Sequence, residues 1–356
     1  MMRIQATTKR DIELDCYRGG ALLWVILIHC LYWVGFVPNN NYQSYLLFEM
    51  PMFFYIAGAS NTLGNKKNIF QFYKSRFARI LIPYWVYAAI CITISEHTIL
   101  FMAQPDKVII LNWIIPIENP MSSISYIWWH LWFIPVYLFV MLLFPFYLNL
   151  YKRLHSQKLL KYTPFLLFII LIFYFDHFNL DWHYYKLFKQ VLFYSFWVYL
   201  GIFYSEFKQS PWPRTLIVLT GLITIFLIIF LIFKMQYPIN MQSNKFPPNL
   251  AFLMLNIGYL CLFSLLKNYI VRLLSLSIIN TVIKTFATYG YTIYLYHPFV
   301  FLTVMTYISK FNYSQKLLEH QYISTLLLFI VITLISMLLP KFFGWLEKPI
   351  KIETNK

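Results

Sequence analysis

An arginine, ten residues and then a histidine mark the chain's first apolar run, LDCYRGGALLWVILIHC, with Arg18 at its entrance and His29 deep inside. On a helix, eleven steps of 100° end about 20° past three full turns, so the two side chains share a face, about 16 Å apart along the axis. The guanidinium is suited to anions, which its planar fork grips through two oxygens at once. The imidazole is suited to taking up and returning a proton near neutral pH. The next apolar run, LLFEMPMFFYIAG, carries Glu49. Counted from the ends of the two runs that face each other, Glu49 and His29 fall at similar depths. A carboxylate there would fix the imidazole tautomer and raise its basicity, which makes His29 and Glu49 the candidate catalytic pair. Pro51 and Gly58 are expected to bend or thin this second helix and let its backbone approach a ligand.

A second group of cations follows in KKNIFQFYKSRFARILIPYW. Arg76 and Arg79 are three residues apart and share a face if the stretch is helical, and Lys74 adds a third charge. Two more histidines stand in aromatic settings, His130 beside Trp132 in YIWWHLWFIP and His297 beside Tyr296 in YGYTIYLYHPFVF. Taken singly, either histidine suits a core or interface position, because Trp and Tyr collect where membrane meets water. The four cysteines, Cys16, Cys30, Cys91 and Cys261, form no CxxC pair, so neither a zinc site nor a disulfide framework is expected.

The elements that hold these residues must be membrane helices. Hydrophobic residues make up 60% of the 356, charged residues 12% and aromatics 21%. Mean hydropathy is +0.60. A soluble domain is about 45–50% apolar and about 25% charged, so this chain has too little charge to cover a water-facing surface. A spanning helix needs about 20 mostly apolar residues. Ten stretches qualify, at roughly 19–37, 44–63, 78–101, 127–150, 162–179, 188–205, 214–233, 249–266, 284–308 and 322–344. The N-terminus is polar and no small-residue cleavage site follows the first apolar run, so that run is expected to remain as a membrane helix.

The net charge of +16 is carried in short clusters between the apolar runs. A nucleic-acid partner would need a continuous basic face, which is absent. With ten spans and the N-terminus inside, 22 of the 29 basic residues fall on the cytoplasmic side and 7 outside. That asymmetry predicts an all-α integral membrane bundle with both ends in the cytoplasm, its tails about 1–18 and 345–356. Two outer loops, 112–126 and 234–249, carry Pro, Asn and Tyr and are candidate substrate elements.

Together these segments resemble the integral-membrane acyltransferase 3 family. ELDCYRGGALLWVILIHC is similar to the family's opening motif, an LD-x-x-RG followed by an apolar run to a histidine. FEMPMFFYIAG resembles the second-helix motif, with Ala57 standing where serine is usual. KSRFARILIPYW has the paired arginines before a Pro-aromatic, and HLWFIPVYL, YTIYLYHPF and WLEKP resemble later landmarks in the same order. FPPNLAF is similar to a subset of the family. The resemblance covers about 10 to 350.

The resemblance implies one transmembrane domain over 1–356 that moves an acyl group, most often acetyl, to a cell-envelope carbohydrate such as lipopolysaccharide or capsule. The implied donor is acetyl-CoA, with no metal, and the implied location is the bacterial inner membrane, in contact with its lipids. It also implies the standalone form, without an appended esterase-like domain. Arg18, Lys74, Arg76 and Arg79 would hold the donor's diphosphate. His29 would take the hydroxyl proton with Glu49 in support, or by a second route carry the acyl group itself, and His130, Trp132, Tyr296 and His297 would bind substrate. A transporter or flippase of a lipid-linked sugar is the alternative, although paired repeats with broken helices are not visible.

Overall fold

The computed structural model describes residues 11–34, 41–64, 68–99, 107–120, 125–157, 159–178, 181–311 and 319–347. The expected tails beyond residues 11 and 347, including Lys348 and Pro349 of WLEKP, lie outside the described residues. So do the ends of three expected spans, at 35–37, 100–101 and 179, and residues 121–124 of the expected outer loop 112–126. The described chain is all-helical, 83% helix with no strands.

Among the described residues, seven stretches are long and apolar enough to cross a membrane. They are Ile12–Trp33, Ile69–Ile94, Phe133–Leu154, Leu160–His177, Arg214–Phe233, Leu250–Leu274 and Gln321–Glu347. The corresponding helices are α1 (Ile12–Trp33), α4 (Ile69–Ile99), α6 (Phe133–Leu154), α7 (Thr163–His177), α10 (Arg214–Phe233), α12 (Leu250–Leu274) and α15 (Gln321–Ser336). Three other expected spans coincide with α3 (Glu49–Gly64), α8 (Tyr185–Ile202) and α14 (Gly290–Lys310). The first of these has only 16 residues. Most of α8 and the first half of α14 lie in the protein interior, where polar side chains find protein partners, and their composition is correspondingly less lipid-like. The expected span 284–308 is in fact two helices. Before α14 comes α13 (Ser277–Thr288), and the break is at Tyr289. There Glu347 accepts a 2.5 Å hydrogen bond from the Thr292 amide, so a carboxylate from the chain's far end caps the new helix.

Close backbone contacts hold the helices that carry the site. A Cβ on Gly201 of α8 would lie 2.1 Å from the Tyr55 carbonyl oxygen of α3, and one on Gly58 would lie 2.2 Å from that of Val198. Glycine is required at both positions for α3 and α8 to touch. Likewise a Cβ on Gly19 of α1 would lie 2.5 Å from the Ile283 carbonyl oxygen of α13.

Ion pairs gather at the two ends of the bundle and connect different stretches at each. At one end, Asp11 meets Lys208 at 2.7 Å and Glu13 meets Lys267 at 2.8 Å. Glu206 meets Lys161 at 2.5 Å and His155 at 2.9 Å. Asp11 also caps α1, accepting from the Glu13 amide at 3.0 Å. Burial works to raise its carboxyl pKa, but hydrogen bonds from Lys208 and then Tyr204 outweigh it and hold the group below its ordinary value. Burial opposes in the same way at Glu206, where the bonds from Lys161 and Tyr151 prevail. Across the length of α7 and α8, Asp176 meets Lys189 at 2.8 Å in a buried pair, and Glu118 meets His183.

Candidate active site

Two cavities lie along α1. The first, about 340 Å³, is lined by Arg18 of α1, Ser60 of α3, Arg76 and Arg79 of α4, and Glu347. Arg18 is held by Asp15 at 2.9 Å and donates to Ser60 Oγ at 2.8 Å. Three guanidinium groups in one chamber make it a site for an anion with several oxygens.

The second cavity, about 280 Å³, holds His29, Glu49, His130, Trp132, Gln242 and Lys245 among its walls. One wall is built by the loop 234–249. Buried Asp176 anchors that loop, accepting from Tyr237 Oη and the Leu250 amide, both at 2.9 Å. Within it the short α11 (Met241–Lys245) is capped by Asn240 and joined to Ser44 through the Met241 amide at 2.8 Å. The helix delivers Lys245, whose ammonium donates to Glu49 Oε1 at 2.6 Å with both side chains buried. Among the described residues, the buried polar atoms of this chamber that have no hydrogen-bond partner include Tyr32 Oη, Glu49 Oε2 and Gln242 Oε1. Unpaired buried polar atoms are costly, so their convergence on one space points to a ligand or water with complementary hydroxyls. Trp33, Trp129, Trp132 and Phe246 supply flat apolar faces around it.

His29 is held from two sides. Trp33, one turn on, stacks on its ring with centroids 3.7 Å apart. Its Nδ1 lies 2.7 Å from Nε2 of His297, on α14. Met50 and Tyr294 line both cavities, so these two side chains form the partition between the arginine chamber and the histidine chamber. Tyr294 is fixed there by donating to the His130 carbonyl oxygen at 2.5 Å.

The family model described as an acyltransferase domain matches residues 11–343, nearly the whole chain. The chain belongs to the acyltransferase 3 family. It matches no curated protein and no solved structure. Family membership and the apolar helices together make it a multi-pass membrane acyltransferase.

Within this acyltransferase, the structure brings together most of the residues singled out in the sequence. Arg18, Arg76 and Arg79 share the first cavity, and His29, Glu49, His130 and Trp132 share the second. Lys74 does not join the arginines and is exposed. Two residues along a helix from Arg76, it points about 200° away. Glu49 has Lys245 as its partner, and the ring nitrogen that faces His29 Nδ1 belongs to His297. His297 is thus placed behind His29 and is not among the residues that line the cavity. Tyr296 turns elsewhere, donating to the Pro83 carbonyl oxygen at 3.2 Å and stacking on Phe343. One residue further along a helix is a rotation of about 100°, so neighbours on α14 face different elements.

Lys245, Tyr294, Met50 and Glu347 were not anticipated in the sequence. Tyr294 had a readable signal, standing three residues before His297 and so near its face. Lys245 had a weaker one, as a lysine in a loop that the charge count assigns to the side poor in basic residues.

Proposed function

We infer that this acyltransferase moves an acyl group, in the first instance acetyl, from cytoplasmic acyl-CoA to a hydroxyl of an exported carbohydrate. The carrying observation is the pair of cavities that meet at Met50 and Tyr294, arginines on one side and His29 on the other. The diphosphate of CoA suits Arg18, Arg76 and Arg79. A pantetheine arm, on the order of 15–20 Å extended, spans the roughly 16 Å from Arg18 to His29. The thioester then reaches the partition, and the acceptor lies in the second cavity. A sugar suits that cavity, with its hydroxyls on Tyr32, Glu49 and Gln242 and its apolar face on the indoles.

In the reaction, the acceptor oxygen attacks the thioester carbonyl while His29 takes its proton. The C–O bond forms, the C–S bond breaks, and the imidazolium returns the proton to the departing thiolate. The Lys245 ammonium neutralises Glu49, so the chamber holds one positive charge while His29 is protonated.

The family reading favours a bundle of about ten helices in the inner membrane of a bacterium, and the ion pairs support both ends lying on its inside. Those of Asp11, Glu13, Glu206 and Lys161 join four stretches that the charge count assigns to the cytoplasm. Those of Asp176 and Glu118 join stretches assigned outside.

The test uses the full chain in lipid nanodiscs with labelled acetyl-CoA and an envelope glycan extract. Arg76→Ala and Arg79→Ala should each remove a charged contact of about 1.5–3 kcal/mol and weaken CoA binding roughly ten- to hundredfold. Binding of CoA unchanged in both variants overturns the donor assignment. Wild-type protein that neither binds nor consumes acyl-CoA leaves movement of a lipid-linked sugar as the surviving reading.

A further inference from the structure

His297 has a role that its burial and its partners define. Its Nδ1 lies 2.7 Å from the Tyr294 carbonyl oxygen and 3.1 Å from that of Ile293. A carbonyl only accepts, so Nδ1 carries the hydrogen and Nε2 presents a lone pair. That lone pair faces His29 Nδ1 at 2.7 Å, so His29 Nδ1 carries its own hydrogen and donates. The ring planes are within 9° and the centroids 4.9 Å apart, which puts the two imidazoles edge to edge with the bond in their common plane. His29 Nε2 is then the unprotonated nitrogen. Free histidine in water favours the opposite form, with the hydrogen on Nε2, where the ring could not accept a proton at that atom.

The acceptor at the back of this chain has its origin in the sequence. Pro298 lies inside α14 and has no amide hydrogen. In a regular helix that amide would bond the carbonyl four residues earlier, which is Tyr294. The Tyr294 carbonyl oxygen is therefore released from the helix ladder and takes the His297 Nδ1 hydrogen instead. The adjacent pair His297–Pro298 thus makes both the relay group and the carbonyl that orients it.

We propose that His297 is the positioning residue of the acyl transfer, holding His29 in the tautomer whose Nε2 receives the acceptor's proton. This rests on the function proposed above. When the acceptor hydroxyl gives its proton to His29 Nε2, the resulting imidazolium keeps its Nδ1 hydrogen on His297 Nε2. No proton leaves the pair toward His297, and the thiolate takes the proton back from Nε2.

Two variants test this in the full chain. His297→Leu removes the acceptor, and kcat should fall at least about a hundredfold, the lower end of what general-base loss costs, with the KM for acetyl-CoA little changed. His297→Gln places an amide oxygen close to the position of Nε2, and should keep kcat within about tenfold of wild type. Nitrogen-15 spectra of histidine-labelled protein should show His29 with its hydrogen on Nδ1 in the wild type and the Gln variant, and on Nε2 in the Leu variant. A wild-type hydrogen on Nε2 overturns the proposal. So does a Leu variant as active as wild type, a Gln variant no better than Leu, or a loss confined to KM. If the wild type transfers nothing from acetyl-CoA, the function reading fails, whereas the nitrogen spectra still decide the tautomer.

Discussion

Removing Lys245 should destabilise the histidine chamber. The ammonium and the Glu49 carboxylate are 2.6 Å apart, with side chains 6% and 4% exposed. At an effective dielectric constant near 20 that attraction is about 6 kcal/mol. Burying the two ions costs several kcal/mol each, so the intact pair contributes little net stability. Lys245→Met keeps an unbranched stem but removes the ammonium, which lies over the Trp132 and Phe246 rings, and leaves the Glu49 carboxyl buried without its partner. Its expected cost is about 3–5 kcal/mol, because the remaining ion keeps its penalty and loses its partner. Adding Glu49→Gln should restore most of this, since a neutral amide carries no such penalty. The measurement is denaturant unfolding of the full chain in mixed micelles at pH 7, followed by tryptophan fluorescence for the four corners of the cycle. Binding of CoA in the folded single mutant should be unaffected, because Lys245 lines only the second cavity. A Lys245→Met protein within about 1 kcal/mol of wild type would refute the reasoning, as would a double mutant no more stable than the single one.

Other outcomes follow from the same geometry. Gly201→Ala drives a methyl into the Tyr55 carbonyl at 2.1 Å and should cost at least about 3 kcal/mol or prevent accumulation, and a folded, fully stable variant contradicts the α3–α8 contact. His29→Gln should lower transfer about 10²–10⁴-fold with CoA binding intact, and retention of more than about a tenth of wild-type rate removes His29 as the base. Asp11 has a depressed carboxyl pKa, so its stabilising contribution is present above 3.8, the ordinary value, and disappears as pH falls through the lower folded value. The stability gap between wild type and Asp11→Asn should therefore close across that window, and a gap independent of pH counts against the Lys208 contact. Met50→Ala opens the partition and should admit acyl chains longer than the preferred one. Each buried methylene is worth about 0.8 kcal/mol, roughly fourfold in kcat/KM, and an unchanged chain-length profile excludes Met50 from the acyl path.

Periodicity and charge made the helical order legible, because apolar runs of spanning length leave few alternatives in a membrane. What they could not supply was partnership. The depths of Glu49 and His29 are similar, as counted from the sequence, yet depth fixes only one coordinate. The rotation of α3 turns Glu49 toward Lys245, which arrives from a loop whose path depends on Asp176, Tyr237 and Ser44. Lys74 was grouped with two arginines by proximity along the chain, although helical rotation separates it from them. The break at Tyr289 lay inside a stretch read as one span, with Gly290 as its one local mark, and the Glu347 carboxylate that caps the next helix lies 55 residues from Thr292. Long-range caps and ion pairs leave no local pattern.

The partition itself explains why α14 carries so many of the parts. Tyr294 contributes its hydroxyl to the His130 carbonyl, its ring to both cavity walls and its carbonyl to His297. Any shift of this one turn would move the wall between donor and acceptor together with the hydrogen bond that orients His29. Met50, across from it, is an unbranched side chain able to change rotamer without disturbing its helix. On the proposed reading, then, the fixed half of the partition sets the proton acceptor and the mobile half admits the thioester. A thioester that enters only past Met50 meets His29 with its ring already held by Trp33 and His297, so the acceptor hydroxyl is the group positioned to attack, and loose water is the competitor that the closed partition keeps out.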